Sequence, residues 1–203
     1  MSLTLFEVEI KIKVKDKNNF FHGLLKLGAI LDVNLIHTDI YYNMPKGLRN
    51  FAQTDEALRI RKSSEFKEID GIREILKETS DITYKGPKLD KETKSRVEYL
   101  CKITDFEVMD KILITLGFKK IIQLEKNRKA FSLNFKNREI GIVFDTIQHL
   151  QGFYAEFEII VDDFSDIEEC KNVIFDVMNR LGYEKKDSIT DSYLELVIKS
   201  LSK

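Results

Sequence analysis

Two short patterns in the sequence carry carboxylates in pairs. Glu7, Glu9 and Lys11 occupy alternate positions near the N-terminus, and Glu156 and Glu158 form a second pair near the C-terminus. Alternate residues of a β-strand point to the same face, so each pair presents two carboxylates side by side. Carboxylate oxygens suit hard divalent cations such as Mg2+ or Mn2+.

Basic residues follow the same alternation on other segments. Arg59 and Arg61 form one pair, and Lys126 and Arg128 form another. Arginine and lysine side chains bind anions that carry several charges, such as polyphosphates. The complete alternating set has six acids and seven bases: Glu7, Glu9, Glu98, Asp145, Glu156 and Glu158, with Lys11, Arg59, Arg61, Lys85, Arg96, Lys126 and Arg128.

The spacing of apolar residues predicts the elements that hold these side chains. A period of two predicts strands, and a helical period followed by glycine predicts helices. We predict eight strands, at 6–15, 36–42, 57–62, 81–85, 96–103, 121–133, 139–145 and 154–161. We predict four helices, at 18–27, 106–116, 167–181 and 194–201. The charged stretch 64–79 is predicted as a hairpin arm and 88–94 as a loop.

These elements leave two arrangements of the sheet open. Eight antiparallel strands can close into a barrel, or they can form an open sheet with helices on one face. In an open sheet, the charged residues are an ordinary solvated face. In a barrel, they converge inside, where charges must be paired or bound to ions.

Composition excludes several classes of protein. The 203 residues fit one domain, 1–203, and the net charge of -1 lacks the basic surplus of a sequence-blind nucleic-acid-binding protein. No apolar run is long enough to span a membrane, so we expect a soluble, cytoplasmic protein with no membrane partner. Cys101 and Cys170 are too few and too far apart for a disulfide framework, and we expect both in the core. No glycine-rich phosphate-binding loop is present.

The ordered series of charged strands resembles the CYTH superfamily, also called triphosphate tunnel metalloenzymes. The N-terminal ExExK signature is the first match, and the others follow in order along almost the whole chain. The matching segments are 7–11 (EVEIK), 39–42 (DIYY), 58–61 (LRIR), 84–87 (YKGP), 96–98 (RVE), 125–128 (EKNR), the stretch from Asp145, 152–158 (GFYAEFE) and 192–193 (SY). Gln151 and the charged insert 63–79 depart from the family pattern.

The resemblance implies an α+β fold, with an eight-stranded antiparallel β-barrel that forms a triphosphate tunnel and helices packed outside. It implies a metal-binding set of Glu7, Glu9, Asp145, Glu156 and Glu158. It implies that Lys11, Arg59, Arg61, Lys85, Lys126 and Arg128 bind the triphosphate and act in catalysis. Arg96 and Glu98 complete the network, with Arg96 among the substrate contacts, and Tyr193 closes one end.

The resemblance also implies an enzyme. The segments DIYYN, EALRIR, YKGP and EKNRKAF are most similar to the class IV adenylyl cyclase branch, which converts ATP to cyclic AMP and pyrophosphate. The alternative is a triphosphatase that acts on inorganic triphosphate or on an organic one such as thiamine triphosphate. A third alternative is a module that binds polyphosphate or nucleotide without turnover. A homodimer is compatible with the sequence.

Overall fold

The computed structural model describes residues 6–88 and 96–202. Within these ranges the chain forms nine strands, four α-helices and two short 3-10 helices. The strands are β1 (Phe6–Val14), β2 (Ile30–Asn43), β3 (Ala57–Ile69), β4 (Ile72–Lys88), β5 (Arg96–Ile103), β6 (Lys119–Phe135), β7 (Arg138–Ile147), β8 (Phe153–Val161) and β9 (Ser188–Ile189). The α-helices are α1 (Lys17–Leu27), α2 (Phe106–Thr115), α3 (Ile167–Arg180) and α4 (Tyr193–Leu201).

The strands form one antiparallel sheet in the order β5-β4-β3-β2-β6-β7-β8-β1-β9. The predicted α+β class and the antiparallel sheet are confirmed. The sheet has nine strands because two residues after the second 3-10 helix add β9 to the edge of β1. The predicted elements are all present, and their ends differ from the prediction by a few residues, except in β2, β3 and β4, which are longer.

Pairing between strands separates the charged face from the apolar face. In β1 and β8, Ile10 lies opposite Phe157, and Phe157 also lies opposite Ile142 of β7. On the other face of the same strands, Lys11 lies opposite Glu156. The pairing of the three strands therefore places apolar residues on one face and charged residues on the other. A shift of one residue in this register would move every side chain of a strand to the opposite face.

The described chain divides into two compact units. The first comprises residues 6–33 and 128–202, and the second comprises 34–88 and 96–127. In the first unit, the apolar faces of β1, β7 and β8 form a buried core with residues of α1 and α3. In the second unit, Ile40 and Ile60 pack in a core with Phe106 and Leu113 of α2. The expectation of a single domain over 1–203 stays a prediction.

The predicted hairpin arm at 64–79 is confirmed. β3 and β4 remain paired up to a turn at Asp70 and Gly71, which both have positive φ angles, of 52° and 77°. A two-residue hairpin turn of this sequence matches the twist of the flanking strands. The strand predicted to end at Lys85 continues to Lys88, with a register shift between those two residues. Of the predicted loop 88–94, Lys88 belongs to β4 and the remainder lies outside the described residues.

The two cysteines differ in exposure. Cys170 of α3 is buried as predicted, whereas Cys101 is exposed, so its predicted place in the core is wrong. Cys101 lies on β5, the first strand of the sheet order, which pairs only with β4 in the described sheet and buries little surface. No helix in the described part of the chain is long and apolar enough to cross a membrane.

Candidate functional site

Carboxylates face one another across β1 and β8 in the first unit. Glu9 lies directly opposite Glu158, and Glu7 is two residues along the same face of β1. All three side chains are partly buried. Like charges at directly opposed positions destabilise a strand pair, so this arrangement favours the binding of a cation.

Arg128 of β6 joins two further carboxylates of the first unit. Its Nε donates to Asp145 Oδ1 at 2.8 Å, and one terminal nitrogen donates to Asp145 Oδ2 at 2.7 Å and Glu156 Oε2 at 2.9 Å. Burial alone would lower the pKa of Arg128, but the negative charges of Asp145 and Glu156 outweigh it and raise that pKa well above its usual value. The guanidinium therefore remains a fixed positive charge beside two carboxylates.

Lys11 and Tyr193 complete this group. Lys11 is 1% exposed, and its Nζ lies 3.1 Å from Glu156 Oε1 and 3.7 Å from the centre of the Tyr193 ring. The Tyr193 hydroxyl donates to Asp145 Oδ2 at 2.9 Å. Burial first, and then the charges of Glu156 and Asp145, raise the pKa of Tyr193 well above its usual value, so the phenol keeps its proton.

A capping box sets the position of Tyr193. The Ser192 hydroxyl accepts from the Glu195 N–H at 3.2 Å, and the Ser192 N–H donates to Glu195 Oε2 at 2.6 Å. Such a reciprocal cap satisfies two free donors at the start of a helix and fixes where the helix begins. Tyr193 is the first residue of α4, so the cap holds its ring over Lys11.

A second group of charges lies in the second unit around Asp39 of β2. Arg61 donates to both oxygens of Asp39, at 2.6 and 2.8 Å, and Lys126 Nζ lies 2.7 Å from Asp39 Oδ2. Burial alone would raise the pKa of Asp39, but the positive charges of Lys126, Arg61 and Arg59 hold it well below its usual value. Two cations therefore contact this one carboxylate directly.

Arg59 is buried beside the Asp39 group. One terminal nitrogen donates to Thr83 Oγ1 at 3.1 Å and lies 3.6 Å from Asp81 Oδ1. Its Nε is buried and has no hydrogen-bond acceptor within the described ranges. A buried donor of this kind is costly unless an acceptor such as a phosphate oxygen reaches it.

The remaining predicted residues of the second unit lie on β4 and β5. Lys85 pairs with Glu98, which is opposite it in the sheet. Arg96 donates to the carbonyl oxygen of Gly86 at 3.2 Å, and its nearest described carboxylate is Asp55, at 4.0 Å. Arg96 therefore contacts the loop before β3, whereas Arg61 and Lys126 converge on Asp39.

Sequence reasoning did not assign a role to three residues of this group: Asp39, Asp81 and Thr83. Asp39 was part of a recognised motif, but nothing in that motif indicates which cations it contacts. The strand register does indicate the contacts, because Asp39 lies opposite Arg61 and Arg61 lies opposite Asp81. The available signal in the sequence was the presence of an acidic residue, Asp39 or Asp81, at an alternate position on each of the two strands that pair with β3.

The predicted metal set fits a divalent cation in part. Glu9 and Glu158 offer oxygen ligands at facing positions, as Mg2+ and Mn2+ prefer. Asp145 and Glu156 contact Arg128, so they can serve as ligands only by exchanging that contact for a metal. Within residues 6–88 and 96–202, no three His, Cys, Asp or Glu side chains come together as a metal-binding group.

Comparison with known proteins adds relatives that match nearly the whole chain. A putative adenylate cyclase of Methanocaldococcus jannaschii is 36% identical over 193 residues, which cover 95% of this chain and 98% of that protein. The adenylate cyclase CyaB of Aeromonas hydrophila is 27% identical over 201 residues, which cover 97% of this chain and 91% of CyaB.

Solved structures share the fold. A protein of Pyrococcus horikoshii OT3 is 30% identical with a TM-score of 0.78, and the match covers 95% of this chain and 98% of that one. A putative adenylyl cyclase from Hippeastrum, described as having a dominant triphosphatase activity, is 12% identical with a TM-score of 0.65. That match covers 96% of this chain and 95% of the Hippeastrum chain. The sequence model described as the CYTH domain matches residues 5–193, and the chain therefore belongs to the CYTH family.

Proposed function

We propose that the protein is a divalent-metal-dependent enzyme that acts on a triphosphate. The observation that carries this proposal is the convergence of basic side chains at buried Asp39. Arg61 and Lys126 share that one carboxylate, and Arg59 adds a buried Nε that lacks an acceptor within the described ranges. An anion with several oxygens satisfies both features, because it supplies negative charge and hydrogen-bond acceptors together.

The residues that hold the triphosphate are the basic members of the predicted set. They are Lys11, Arg59, Arg61, Lys85, Arg96, Lys126 and Arg128, with Tyr193 beside Lys11. Lys11, Arg61 and Arg128 now contact carboxylates, so binding exchanges carboxylate oxygens for phosphate oxygens. The ion pairs keep the cations oriented before the substrate arrives, which lowers the reorganisation that binding requires.

CYTH enzymes use divalent metals in general, and here Mg2+ or Mn2+ is the proposed cofactor. Glu7, Glu9 and Glu158 would hold it, together with Asp145 and Glu156 if these exchange Arg128 for the metal. The bound metal supplies Lewis-acid stabilisation of the phosphate oxygens and of the attacking oxygen. The protein's own cations neutralise the negative charge on the oxygens of the reacting phosphoryl group and hold the reacting groups in line.

The preferred reaction is that of a class IV adenylyl cyclase. The ribose 3′-hydroxyl of ATP attacks the α-phosphorus, which forms cyclic AMP and releases pyrophosphate. The names of the Methanocaldococcus and Aeromonas relatives support this reaction. The alternative is attack by water on a terminal phosphorus, and the activity described for the Hippeastrum protein favours keeping it as a second candidate.

Separation of the products distinguishes the two reactions. The purified protein is incubated with Mg2+ or Mn2+ and either ATP or inorganic triphosphate, and the products are separated by anion exchange. Cyclic AMP with an equal amount of pyrophosphate is the result expected for a cyclase. Phosphate from inorganic triphosphate, without cyclic AMP from ATP, assigns the protein to the triphosphatases. Absence of turnover with both substrates and both metals overturns the proposed enzyme.

A further inference from the structure

Arg59 differs from Arg61 and Arg128 in how it meets carboxylates. Arg61 donates to both oxygens of Asp39, and Arg128 donates to both oxygens of Asp145. Arg59 is 7% exposed, and within the described ranges it makes no hydrogen bond to a carboxylate. Its guanidinium therefore has donors that no carboxylate of the described chain occupies.

A threonine on the neighbouring strand lies between Arg59 and the nearest acid. Thr83 is directly opposite Arg59 in the pairing of β3 with β4, and Asp81 is two residues away on the same face of β4. One terminal nitrogen of Arg59 donates to Thr83 Oγ1 at 3.1 Å, and Thr83 Oγ1 donates to Asp81 Oδ1 at 2.8 Å. The same nitrogen lies 3.6 Å from Asp81 Oδ1, which is beyond the usual hydrogen-bond distance.

The chemistry of the hydroxyl fixes the direction of these two hydrogen bonds. A hydroxyl has one hydrogen to donate and accepts through its lone pairs, whereas a guanidinium can only donate. Because Arg59 donates to Thr83, the hydroxyl hydrogen of Thr83 goes to Asp81. Thr83 has no exposed surface, so bulk water does not compete for either bond. The hydroxyl therefore connects the two charged groups and also keeps them apart.

A direct pair between Arg59 and Asp81 would compete with a substrate. Arg61 and Asp39 show that a guanidinium and a carboxylate on paired strands form two charge-assisted hydrogen bonds here. A shift of about 0.5 Å would bring the Arg59 nitrogen within hydrogen-bond distance of Asp81 Oδ1. Such a pair would occupy donors that a phosphate group needs.

Neutral hydroxyl groups lie opposite Arg59 on both neighbouring strands. Thr83 is one, and Tyr41 of β2 is the other. Burial first, and then the charge of Asp39, raise the pKa of Tyr41, so its phenol keeps the proton. Burial alone would lower the pKa of Arg59, but nearby negative charges, that of Asp39 first, raise it. Arg59 therefore keeps its charge between two groups that do not neutralise it.

We propose that Thr83 is a positioning residue for substrate binding: its hydroxyl holds the Arg59 guanidinium apart from Asp81 and so keeps the guanidinium donors available to the triphosphate. The inference rests on the proposed function, because Arg59 belongs to the proposed triphosphate-binding set. It predicts that loss of the hydroxyl weakens binding through Asp81 and not through a general change in the fold.

Binding of inorganic triphosphate to variants of Thr83 tests the inference. Affinities are measured by calorimetry without metal at about 0.15 M ionic strength, where long-range charge effects are screened. Thr83→Val keeps the shape of the side chain and removes the hydroxyl, so that Arg59 can pair with Asp81. We expect about tenfold weaker binding, the effect of one charge-assisted contact. Thr83→Ser keeps the hydroxyl and should bind triphosphate within about twofold of the wild type.

Asp81→Asn in both backgrounds separates the proposed spacing from a general effect of charge. If Asp81 acts only through long-range repulsion of the anion, its removal strengthens binding by the same factor in the wild type and in Thr83→Val. We expect a change of less than about threefold in the wild type and a recovery of about fivefold or more in Thr83→Val. Equal factors in the two backgrounds overturn the inference.

Ser64→Ala is a matched control for the loss of a hydroxyl. Ser64 Oγ also donates to a carboxylate across β3 and β4, Glu78 Oε1 at 2.8 Å, and neither residue belongs to the triphosphate-binding set. This variant should bind triphosphate within about twofold of the wild type.

Urea unfolding of every variant shows that the protein under test is folded. Thr83→Ala also removes the hydroxyl, and it replaces Thr83→Val if the valine variant does not fold. Triphosphate affinity that is unchanged without the hydroxyl overturns the role of Thr83 while the proposed function stands. Failure of the wild type to bind triphosphate overturns both proposals.

Discussion

Asp145 is the principal counter-charge of buried Arg128 in the first unit. It has no exposed surface, and it accepts hydrogen bonds from Arg128 and Tyr193. Asp145→Asn leaves the buried guanidinium without its principal counter-charge, which typically costs about 3 to 5 kcal/mol of folding free energy. We expect a loss of that size in urea unfolding, together with loss of triphosphate turnover.

A matched control separates this effect from the loss of any acidic residue. Asp176→Asn also removes one carboxylate from an ion pair of the first unit, with Lys136, but both partners are about half exposed. Solvent screens exposed pairs, so this variant should retain nearly the stability of the wild type. Similar, small losses in both variants would contradict the role assigned to Asp145.

Asp39 makes stability depend on pH in the acid range. Its pKa in the folded protein lies well below its ordinary value, so the unfolded chain takes up the proton first as the pH falls. The stabilisation by ionised Asp39 is therefore complete above about pH 5, falls as the pH drops below about 4, and is lost below the folded-state pKa.

Unfolding of the wild type and Asp39→Asn in urea, measured between pH 3 and pH 7, tests this dependence. The difference in free energy of unfolding should be constant from pH 5 to pH 7 and become smaller toward pH 3, as expected for a carboxyl with a lowered pKa. A difference that increases toward acid pH would show that the folded-state pKa of Asp39 is raised.

The sequence predicted which residues carry charge on the alternating faces, but it did not predict their partners. The positions of Arg61 and Lys126 were both identified, yet their convergence on Asp39 depends on the register between β2 and β3 and on which strand lies beside β2. Local periodicity contains no information about strand order. The same limit explains why Tyr193, predicted to close one end of the tunnel, was not placed over Lys11.

At the scale of elements, the pairing of β1 with β8 is the feature with a direct consequence for the metal. Glu9 and Glu158 are directly opposite, and like charges at such positions destabilise a strand pair. Glu158→Gln should leave the metal-free protein as stable as the wild type or slightly more stable. It should also abolish the increase in stability that Mg2+ or Mn2+ gives the wild type.

Thermal unfolding with chelator and with each metal measures both effects. Glu168→Gln is a suitable control, because Glu168 lies in the first turn of α3, and its side chain is 70% exposed beside Lys171. It should respond to metal as the wild type does. Metal stabilisation of Glu158→Gln equal to that of the wild type would exclude Glu158 from the metal site.

Elements with strong periodicity were predicted well and those without it were not. The helices at 106–116 and 167–181 differ from α2 and α3 by one residue at the C-terminal end, because glycine follows each of them closely. β9 was missed because two residues cannot show a period of two. Residues 64–79 were predicted as a hairpin arm without strand ends, because they are charged on both faces and burial does not mark where β3 ends and β4 begins.

At the scale of the whole molecule, the two units have the same physical design. Each has its own apolar core and a group of buried or partly buried cations that contact carboxylates. The near-zero net charge of the chain conceals this concentration of charge on particular strands. Composition alone gives no indication of a site for triphosphate.

The most direct test of the central claim is metal-dependent turnover. The wild-type protein is given ATP or inorganic triphosphate with Mg2+, with Mn2+, or with a chelator, and consumption of each substrate is followed over time. The account predicts that at least one substrate is consumed with metal and that the chelator stops the reaction. Consumption that continues undiminished in chelator would contradict the metal-dependent mechanism, and no consumption under any condition would contradict the enzyme itself.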